Sequence, residues 1–514
     1  MQALEVAVVA ITGLVLVLAA IRRPRRGRWW PEGTRWPAPE TAMAIALLAP
    51  LVLHLLVDGY RTVMIPAYTV CAGLLLLLGL RARRAGRIPT LSEARRHPRL
   101  RALGRVIAVL LGLIALATSA LSATLLPVFE LPAPEGPYAV GRTDLHLTDM
   151  RRQEWATSAD DDVREVVASV WYPAEPAAAR GAATEVLGDE IAQSVAGSVA
   201  AAVPSLRTAA DVLGAPLDHL QRIATHAVRD AEAAAHDGDG FPVVLYSPGL
   251  ASSRFENVAL MEDLASRGYV VVAVDHPYTS GSVTLAGGAE ATVDPVLLGP
   301  GSDATVRKRL NDWIDTRVED LSTVLDHLAA LETRPGSVLQ GVMDLETVGA
   351  VGFSLGGDTV TQALTQEPRL DAAVSLDGPY LGKVSTTGVP APFLNVIAAD
   401  HLTDLEQDLE TEQETGIASD SLNRYRGTMS SASGPVWVAS VEGTTHLSHT
   451  VFPLISPILG GEAGTGRAQV DTVETLVVDF LDHALAGAPA RLLGQGGDIP
   501  LTTRFLPDPR VPRT

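Results

Sequence analysis

The pattern of apolar positions divides the chain into two parts. Four long apolar runs fill the first quarter, at residues 6–21, 41–57, 63–80 and 106–129. Their lengths are close to the roughly 17–25 residues that a helix needs to cross the hydrocarbon core of a bilayer. The pattern therefore predicts an all-α transmembrane region of about four helices at residues 1–130.

Beyond a proline-rich linker at residues 131–137, the apolar runs are short and alternate with segments of helical period. This pattern is typical of a mostly parallel sheet with helices on both faces, so we predict an α/β catalytic domain at residues 138–490. The predicted strands are residues 165–172, 241–246, 269–274, 348–353, 372–376, 392–399 and 436–441. The predicted helices are residues 257–267, 305–333, 359–367 and 472–485.

Two segments of this second part do not follow the alternation. Residues 185–235 are rich in alanine and predict amphipathic helices interrupted at Pro204 and Pro216. This helical insert either caps the site or packs at the sheet edge, and we favour the cap. Residues 491–514 form a tail rich in proline and glycine.

Charge separates the two parts in the same way. Residues 1–126 contain 16 basic and five acidic residues, and the remainder contains 24 basic and 54 acidic residues. A basic apolar front and an acidic back indicate a membrane portion followed by a soluble domain, and they argue against nucleic acid as a partner. The single cysteine, Cys71, excludes an intrachain disulfide.

Arginine placement predicts the orientation of the four helices. Clusters of arginine occupy the connection at residues 22–35 and the connection at residues 81–105, whereas residues 58–62 contain a single arginine, Arg61. Basic connections stay in the cytoplasm, so we expect the N-terminus and everything after residue 129 to be extracytoplasmic. Trp29, Trp30 and Trp36 would anchor the interface.

Two further details of the front bear on its function. Glu5 precedes the first apolar run and arginines follow it, which favours an uncleaved span over a signal peptide. His54 and Asp58 invite a proton-relay hypothesis, but Asp58 lies at a span end, and we favour a packed histidine.

The chemistry centres on Gly352-Phe353-Ser354-Leu355-Gly356, between an apolar run and a helical pattern. A strand, a sharp turn and a helix around Gly-x-Ser-x-Gly form a nucleophile elbow, the mark of an α/β-hydrolase fold. The turn is strained, so small residues must flank the serine. Ser354 is therefore the candidate nucleophile.

A serine hydroxyl needs a base, and the base needs an acid to orient it. His446 follows the predicted strand at residues 436–441, and we prefer it to its neighbour His449. His401 and His483 are less well placed, because His401 precedes too much remaining sheet and His483 lies inside the closing helix. For the acid, Asp377 and Asp400 each end a strand beside the elbow, and the pattern alone leaves both open.

An oxyanion hole needs backbone donors, usually the residue after the serine and one from the loop after an earlier strand. Leu355 is the first donor. The segment Tyr246-Ser247-Pro248-Gly249-Leu250 ends the strand at residues 241–246, and its glycine allows the N–H of Leu250 to face the site. Ser247 lies in no elbow and is expected to be structural.

Together these segments resemble the platelet-activating factor acetylhydrolase family, the plasma and type II group. The resemblance covers residues 137–486 and rests on residues 247–251, 263–276, 317–331, 352–357, 376–378 and 445–446. It implies a Ser354, Asp377 and His446 triad, Leu250 and Leu355 as oxyanion donors, and neither cofactor nor metal. Phe353 and Pro248 depart from the family, which often has histidine there.

A second resemblance, to bacterial lipases and cutinase-like polyester hydrolases, shares the elbow and would prefer Asp400 as the acid.

From the apolar front, the elbow and the family resemblance, we expect a membrane-anchored serine ester hydrolase that cleaves small-molecule or lipid esters. Alternatives are an envelope acyltransferase with the same triad, a polyester hydrolase, and a non-catalytic membrane interaction protein. An intact elbow with downstream Asp377 and His446 argues against the last.

Overall fold

The structure is a computed structural model, and it divides into two compact units, one ending at Val128 and one beginning at Phe129. The residues that it describes are 2–21, 39–84, 98–159, 161–179, 181–186, 220, 223–236, 238–299, 304–403, 417–460, 464–493 and 503–505.

The first unit consists of four helices, and each is long and apolar enough to cross a membrane. Leucines on their outer faces are exposed, while Val8, Leu47 and Leu116 pack inside. The prediction of four apolar helices is confirmed. Trp29, Trp30, Trp36 and most of the predicted cytoplasmic arginines lie outside the described residues. The helices are α1 (Ala3–Ile21), α2 (Pro39–Val57), α3 (Ile65–Arg84) and α4 (Pro98–Leu125).

Buried polar groups join the helices at one end of this bundle. Glu5 on α1 forms an ion pair with Arg61, which precedes α3, and both side chains are fully buried. The guanidinium of Arg61 also donates to the carbonyl of Leu126, just after α4. The Nδ1 of His54 lies 2.9 Å from the Oδ2 of Asp58. His54 therefore has an acidic partner that the sequence analysis did not assign to it.

The second unit is built on a ten-stranded, mostly parallel sheet. The strand order is β12-β11-β10-β9-β8-β4-β5-β2-β1-β3, and the stretch from β11 to β5 is parallel throughout. A separate two-stranded sheet pairs β6 with β7. The strands are β1 (Ala139–Gln153), β2 (Val163–Ala174), β3 (Ala227–Arg229), β4 (Phe241–Ser247), β5 (Val270–Asp275), β6 (Val283–Thr284), β7 (Glu290–Ala291), β8 (Met343–Phe353), β9 (Ala372–Leu376), β10 (Phe393–Ala398), β11 (Val436–Val441) and β12 (Thr503–Phe505).

Helices cover both faces of the sheet. Successive residues of a strand point to opposite faces. On β8, Gly349 faces Leu481, whereas the next residue, Ala350, belongs to the large core that includes Leu321 and Val360. The helices of this unit are α5 (Pro176–Ala179), α6 (Val258–Ser266), α7 (Ala304–Glu332), α8 (Leu355–Gln366), α9 (Val384–Thr387), α10 (Ile417–Ser430), α11 (Phe452–Ile455) and α12 (Gly466–Ala484). The architecture is an α/β-hydrolase fold.

The structure adds strands that the sequence pattern did not predict. Strand β1 contains many charged residues and pairs with β2, whereas β12 adds an edge strand from within the predicted tail. Most of the predicted helical insert, residues 187–219 and 221–222, lies outside the described residues. The helical prediction is wrong at Ala227–Arg229, which form β3 against β1. Backbone pairing at the sheet edge outweighs the helix propensity of alanine there.

Candidate active site

Ser354 occupies a strained turn between β8 and α8. Its φ and ψ angles are 54° and −121°, outside the backbone regions that residues other than glycine ordinarily adopt. A Cβ on Gly352 would lie 2.1 Å from the carbonyl oxygen of Gly356, and a Cβ on Gly356 would lie 1.9 Å from that of Ser247. Only glycine fits at these two positions, so the sequence of the elbow determines its geometry.

The structure brings Ser354, His446 and Asp377 together. The Nε2 of His446 lies 3.0 Å from the Oγ of Ser354, and its Nδ1 lies 2.6 Å from the Oδ2 of Asp377. His446 begins a 3-10 turn whose capping box, formed by Thr445 and Ser448, fixes the backbone after β11. A hydrogen bond from Nδ1–H to the carboxylate leaves the Nε2 lone pair for the serine proton.

Asp377 is held rigidly at the carboxyl end of β9. Its backbone N–H donates to the carbonyl of Val396, and its Oδ1 accepts the backbone N–H of Ala398 at 2.8 Å. Burial alone would raise the pKa of this carboxyl, but hydrogen bonds from His401 and His446 outweigh burial and hold the pKa well below its ordinary value. Asp377 is therefore ionised at neutral pH.

The alternatives from the sequence lie elsewhere. Asp400 is exposed, and its carboxylate accepts the backbone N–H of His401. His449 is buried, and its Nδ1 faces the carbonyl of His446 at 3.3 Å. His483 on α12 bonds to the carbonyl of Ala488.

His401 is closer to the site than its sequence position suggested. Its Nδ1 lies 2.7 Å from the same Oδ2 of Asp377 that contacts His446. Among the described residues, these three side chains form the one group of at least three potential metal ligands whose ligand atoms all lie within 4.8 Å of one another.

Hydrogen bonds hold the backbone on both sides of Leu250, the predicted oxyanion donor in the loop after β4. The N–H of Gly249 donates to the Oε1 of Glu256, and the N–H of Ala251 donates to the carbonyl of Thr279. Both neighbours of Leu250 are thus tied into the protein. Leu355 is the first residue of α8, where a backbone N–H has no partner inside the helix.

Buried polar side chains support this loop from behind, and sequence reasoning missed them. Arg317 on α7 is fully buried and donates to the carbonyl of Pro248 at 2.9 Å. Burial raises the pKa of Glu256 to about 7, although hydrogen bonds and the charge of Arg317 oppose the rise. His276 accepts the hydroxyl of Ser247 at 3.0 Å. The spacing of these residues along the chain gave no sign that they would meet.

An apolar group of side chains adjoins the nucleophile. Ile314, Leu355 and Leu381 are buried together, and Leu250 and Leu310 pack against them. The side chains of Leu250 and Leu355, the two predicted oxyanion donors, thus belong to one apolar cluster. Leu250 and Leu310 are the partly exposed members of this cluster, and apolar side chains of this kind suit the hydrocarbon portion of an ester.

Comparison with known proteins gives a matching family and several relatives. The family model for platelet-activating factor acetylhydrolase, isoform II, matches residues 125–484. A probable 1-alkyl-2-acetylglycerophosphocholine esterase of Arthroderma benhamiae is 27% identical over 74% of this chain and 94% of its own. The platelet-activating factor acetylhydrolase of Gallus gallus is 21% identical over 69% of this chain and 82% of its own.

Two other similarities widen the range of ester hydrolases. Cutinase 1 of Thermobifida cellulosilytica is 25% identical over 32% of this chain and 49% of its own. A solved structure of a ferulic acid esterase from Streptomyces cinnamoneus is 26% identical with a TM-score of 0.56, and the match covers 74% of this chain and all of that one. The relatives share action on esters, and the family model spans more than half of the chain. This chain is an esterase that belongs to the platelet-activating factor acetylhydrolase isoform II family.

Proposed function

We propose that the chain is a membrane-anchored serine ester hydrolase that works through an acyl-enzyme on Ser354. The observation that carries the proposal is the unbroken line of hydrogen bonds from Ser354 through His446 to Asp377. A general base within reach of the nucleophile, itself oriented by a buried carboxylate, is the arrangement that acyl transfer to serine requires.

The reaction follows from this geometry. The Oγ of Ser354 attacks the ester carbonyl carbon while the Nε2 of His446 takes the hydroxyl proton. The N–H groups of Leu250 and Leu355 donate to the oxyanion of the tetrahedral intermediate. The C–O bond to the alcohol then breaks, and His446 returns the proton to the leaving oxygen. A water molecule repeats the sequence on the acyl-enzyme and releases the acid.

The proposed substrates are small-molecule or lipid carboxylic esters. The fungal relative is named as an esterase of an alkylacetylglycerophosphocholine, and the partly exposed apolar side chains of Leu250 and Leu310 support acyl binding. The four apolar helices support a tether that keeps the site beside a membrane, where lipid esters are concentrated. The arginine-rich connections support a catalytic unit on the extracytoplasmic side.

Activity-based labelling of the full chain in detergent tests the nucleophile. A fluorophosphonate probe should label the wild type and the Ser282→Ala control, whose exposed serine lies on the β6–β7 hairpin. Ser354→Ala should show neither labelling nor hydrolysis of p-nitrophenyl butyrate above background. Equal hydrolysis by the wild type and Ser354→Ala would overturn the proposal.

A membrane-impermeant ester tests the orientation. Intact cells that express the full chain should hydrolyse it before permeabilisation, at the rate that lysed cells reach. Hydrolysis that starts only after lysis would assign the catalytic unit to the cytoplasm and refute the predicted topology.

A further inference from the structure

Two imidazoles converge on one carboxylate oxygen at the proposed active site. The Nδ1 of His446 lies 2.6 Å from the Oδ2 of Asp377, and the Nδ1 of His401 lies 2.7 Å from the same atom. The side chain of His446 is 31% exposed and that of His401 is 50% exposed, so small solutes reach both from solvent. Ser–His–Asp catalysis needs only one of these imidazoles.

Two imidazole nitrogens and one carboxylate oxygen are the donor set of many three-ligand zinc sites, with water as the fourth ligand. The other oxygen of Asp377 accepts the backbone N–H of Ala398, which fixes the carboxylate and leaves Oδ2 toward the histidines. Backbone bonding thus orients Oδ2 as a ligand in advance, and such pre-orientation favours metal binding.

The distances require a small adjustment. Zinc bonds of about 2.0–2.2 Å in a tetrahedron separate ligand atoms by roughly 3.4 Å. The nitrogen–oxygen distances here are 2.6 and 2.7 Å, so each nitrogen must withdraw from Oδ2 by less than about 1 Å. His401 is half-exposed and lies three residues after the end of β10, and its side chain can turn outward.

We propose that Asp377, His401 and His446 form a binding site for a transition-metal dication, best filled by Zn²⁺, and that an occupied site cannot hydrolyse esters. This inhibitory consequence rests on the proposed function, whereas metal binding itself does not. A metal on the Nδ1 of His446 displaces the imidazole proton from Nδ1 to Nε2. The resulting Nε2–H donates to Ser354 and has no lone pair to accept its proton.

The competing explanation is that both imidazoles simply donate N–H groups to Oδ2. A carboxylate oxygen has room for two donors, so the hydrogen bonds alone do not require an ion. The two explanations differ in their response to metals. Zn²⁺ and Co²⁺ prefer imidazole nitrogen, whereas Mg²⁺ prefers oxygen and water and should have no effect.

Metal binding is measured first in the full-length Ser354→Ala protein in detergent, where no catalysis interferes. Titration with Zn²⁺ should give one site, and Co²⁺ should produce the visible absorption of a tetrahedral complex. Adding His401→Ala should weaken Zn²⁺ binding by about tenfold or more, since even a lost supporting residue often costs that much. His146→Ala, an exposed histidine on β1, is the matched control and should bind like the parent.

Inhibition is measured next with Ser354 intact, each protein being compared with its own metal-free rate. Zn²⁺ should abolish p-nitrophenyl butyrate hydrolysis reversibly, chelation should restore it, and His401→Ala should need about tenfold or more Zn²⁺ for half inhibition. Equal Zn²⁺ affinity with and without His401 would overturn the site. Binding at the site without inhibition would overturn the tautomer mechanism. A protein inactive on all esters would refute the proposed function and still leave the binding measurement decisive.

Discussion

Two serine–histidine–aspartate arrangements with nearly the same spacing occur in the catalytic unit. In the candidate active site, His446 lies 3.0 Å from Ser354 and 2.6 Å from Asp377. Beneath the loop after β4, His276 lies 3.0 Å from Ser247 and 2.8 Å from Asp320. In both, Nδ1 faces the carboxylate and Nε2 faces the serine.

The two arrangements differ in access and in backbone geometry. Ser247, His276 and Asp320 are fully buried, and Ser247 ends a regular strand. Burial, together with the charge of Arg317, lowers the pKa of His276 to about 3, and the imidazole stays neutral. Ser354 is partly exposed on a strained turn. Spacing alone therefore does not make a nucleophile, because a substrate must also reach it.

The buried arrangement belongs to a charged network inside the protein. Asp320 accepts hydrogen bonds from Arg164 and Arg152 as well as from His276. Burial alone would raise the pKa of Asp320. The positive charge of Arg164 and the hydrogen bond from His276 outweigh burial and hold this pKa well below its ordinary value. This network lies behind the proposed oxyanion loop, so its expected role is to stabilise the fold at that point.

The largest expected effect separates the two candidate acids of the accessible site. Asp377→Asn should lower kcat/KM for p-nitrophenyl butyrate by about 10⁴-fold, because an amide favours the wrong imidazole tautomer. Asp400→Asn, at an exposed carboxylate, is the control and should stay within a few fold of the wild type. A greater loss at Asp400 would assign the acid to that residue instead.

The next effect concerns stability, and it distinguishes the buried aspartate from the catalytic one. Asp320→Ala leaves the buried guanidinium of Arg164 without its main partner, which should cost about 3–5 kcal/mol of unfolding free energy. Thermal unfolding of the full chain measures this loss. Glu319→Ala removes a carboxylate that is 63% exposed and should leave the midpoint nearly unchanged. An Asp320→Ala protein with an unchanged unfolding midpoint would contradict the structural role of Asp320.

A smaller effect depends on pH. The pKa of Glu256 is raised by burial from its ordinary 4.5 to about 7. Between these values the folded protein holds a proton that the unfolded chain has lost, so stability should fall as pH rises from about 4.5 to 7. Glu256→Gln cannot titrate and should flatten this part of the curve, measured by thermal unfolding in a buffer series. An unchanged slope would show that Glu256 is ionised in the folded protein.

The smallest effect is expected at the buried serine. Ser247→Ala removes one hydrogen bond to His276 and should cost about 1 kcal/mol of stability. Its esterase activity should remain within a few fold of the wild type, in contrast to Ser354→Ala. Loss of fluorophosphonate labelling in a folded Ser247→Ala protein would show that the two arrangements are not separable.

Sequence patterns predicted the parts of the fold that depend on local order. Strands β9 and β11 have the bounds that their apolar runs indicated, and the elbow motif located Ser354 correctly at the strand–helix junction. Strand β1 escaped prediction because its many charged residues hide the period of two. Its pairing partner β2 was predicted because residues 165–172 alternate in polarity and end at Pro173.

The sequence could not predict contacts between distant polar residues. Arg164 and Asp320 are 156 positions apart, and charged residues are ordinarily assigned to the surface. His401 was set aside because it precedes much of the sheet, yet the ends of β9 and β10 bring it to Asp377. Three-dimensional proximity of this kind depends on strand order, which local periodicity does not encode.

The buried pair of Glu5 and Arg61 bears on how the protein can be shortened or tagged. Deleting α1 alone would leave the guanidinium of Arg61 enclosed among apolar helices without its carboxylate, at a cost of about 3–5 kcal/mol. The cost disappears when Arg61 is deleted as well. Shortened forms of the chain should therefore keep all four helices or remove all four. An affinity tag is better attached at the C-terminus, far in sequence from Glu5.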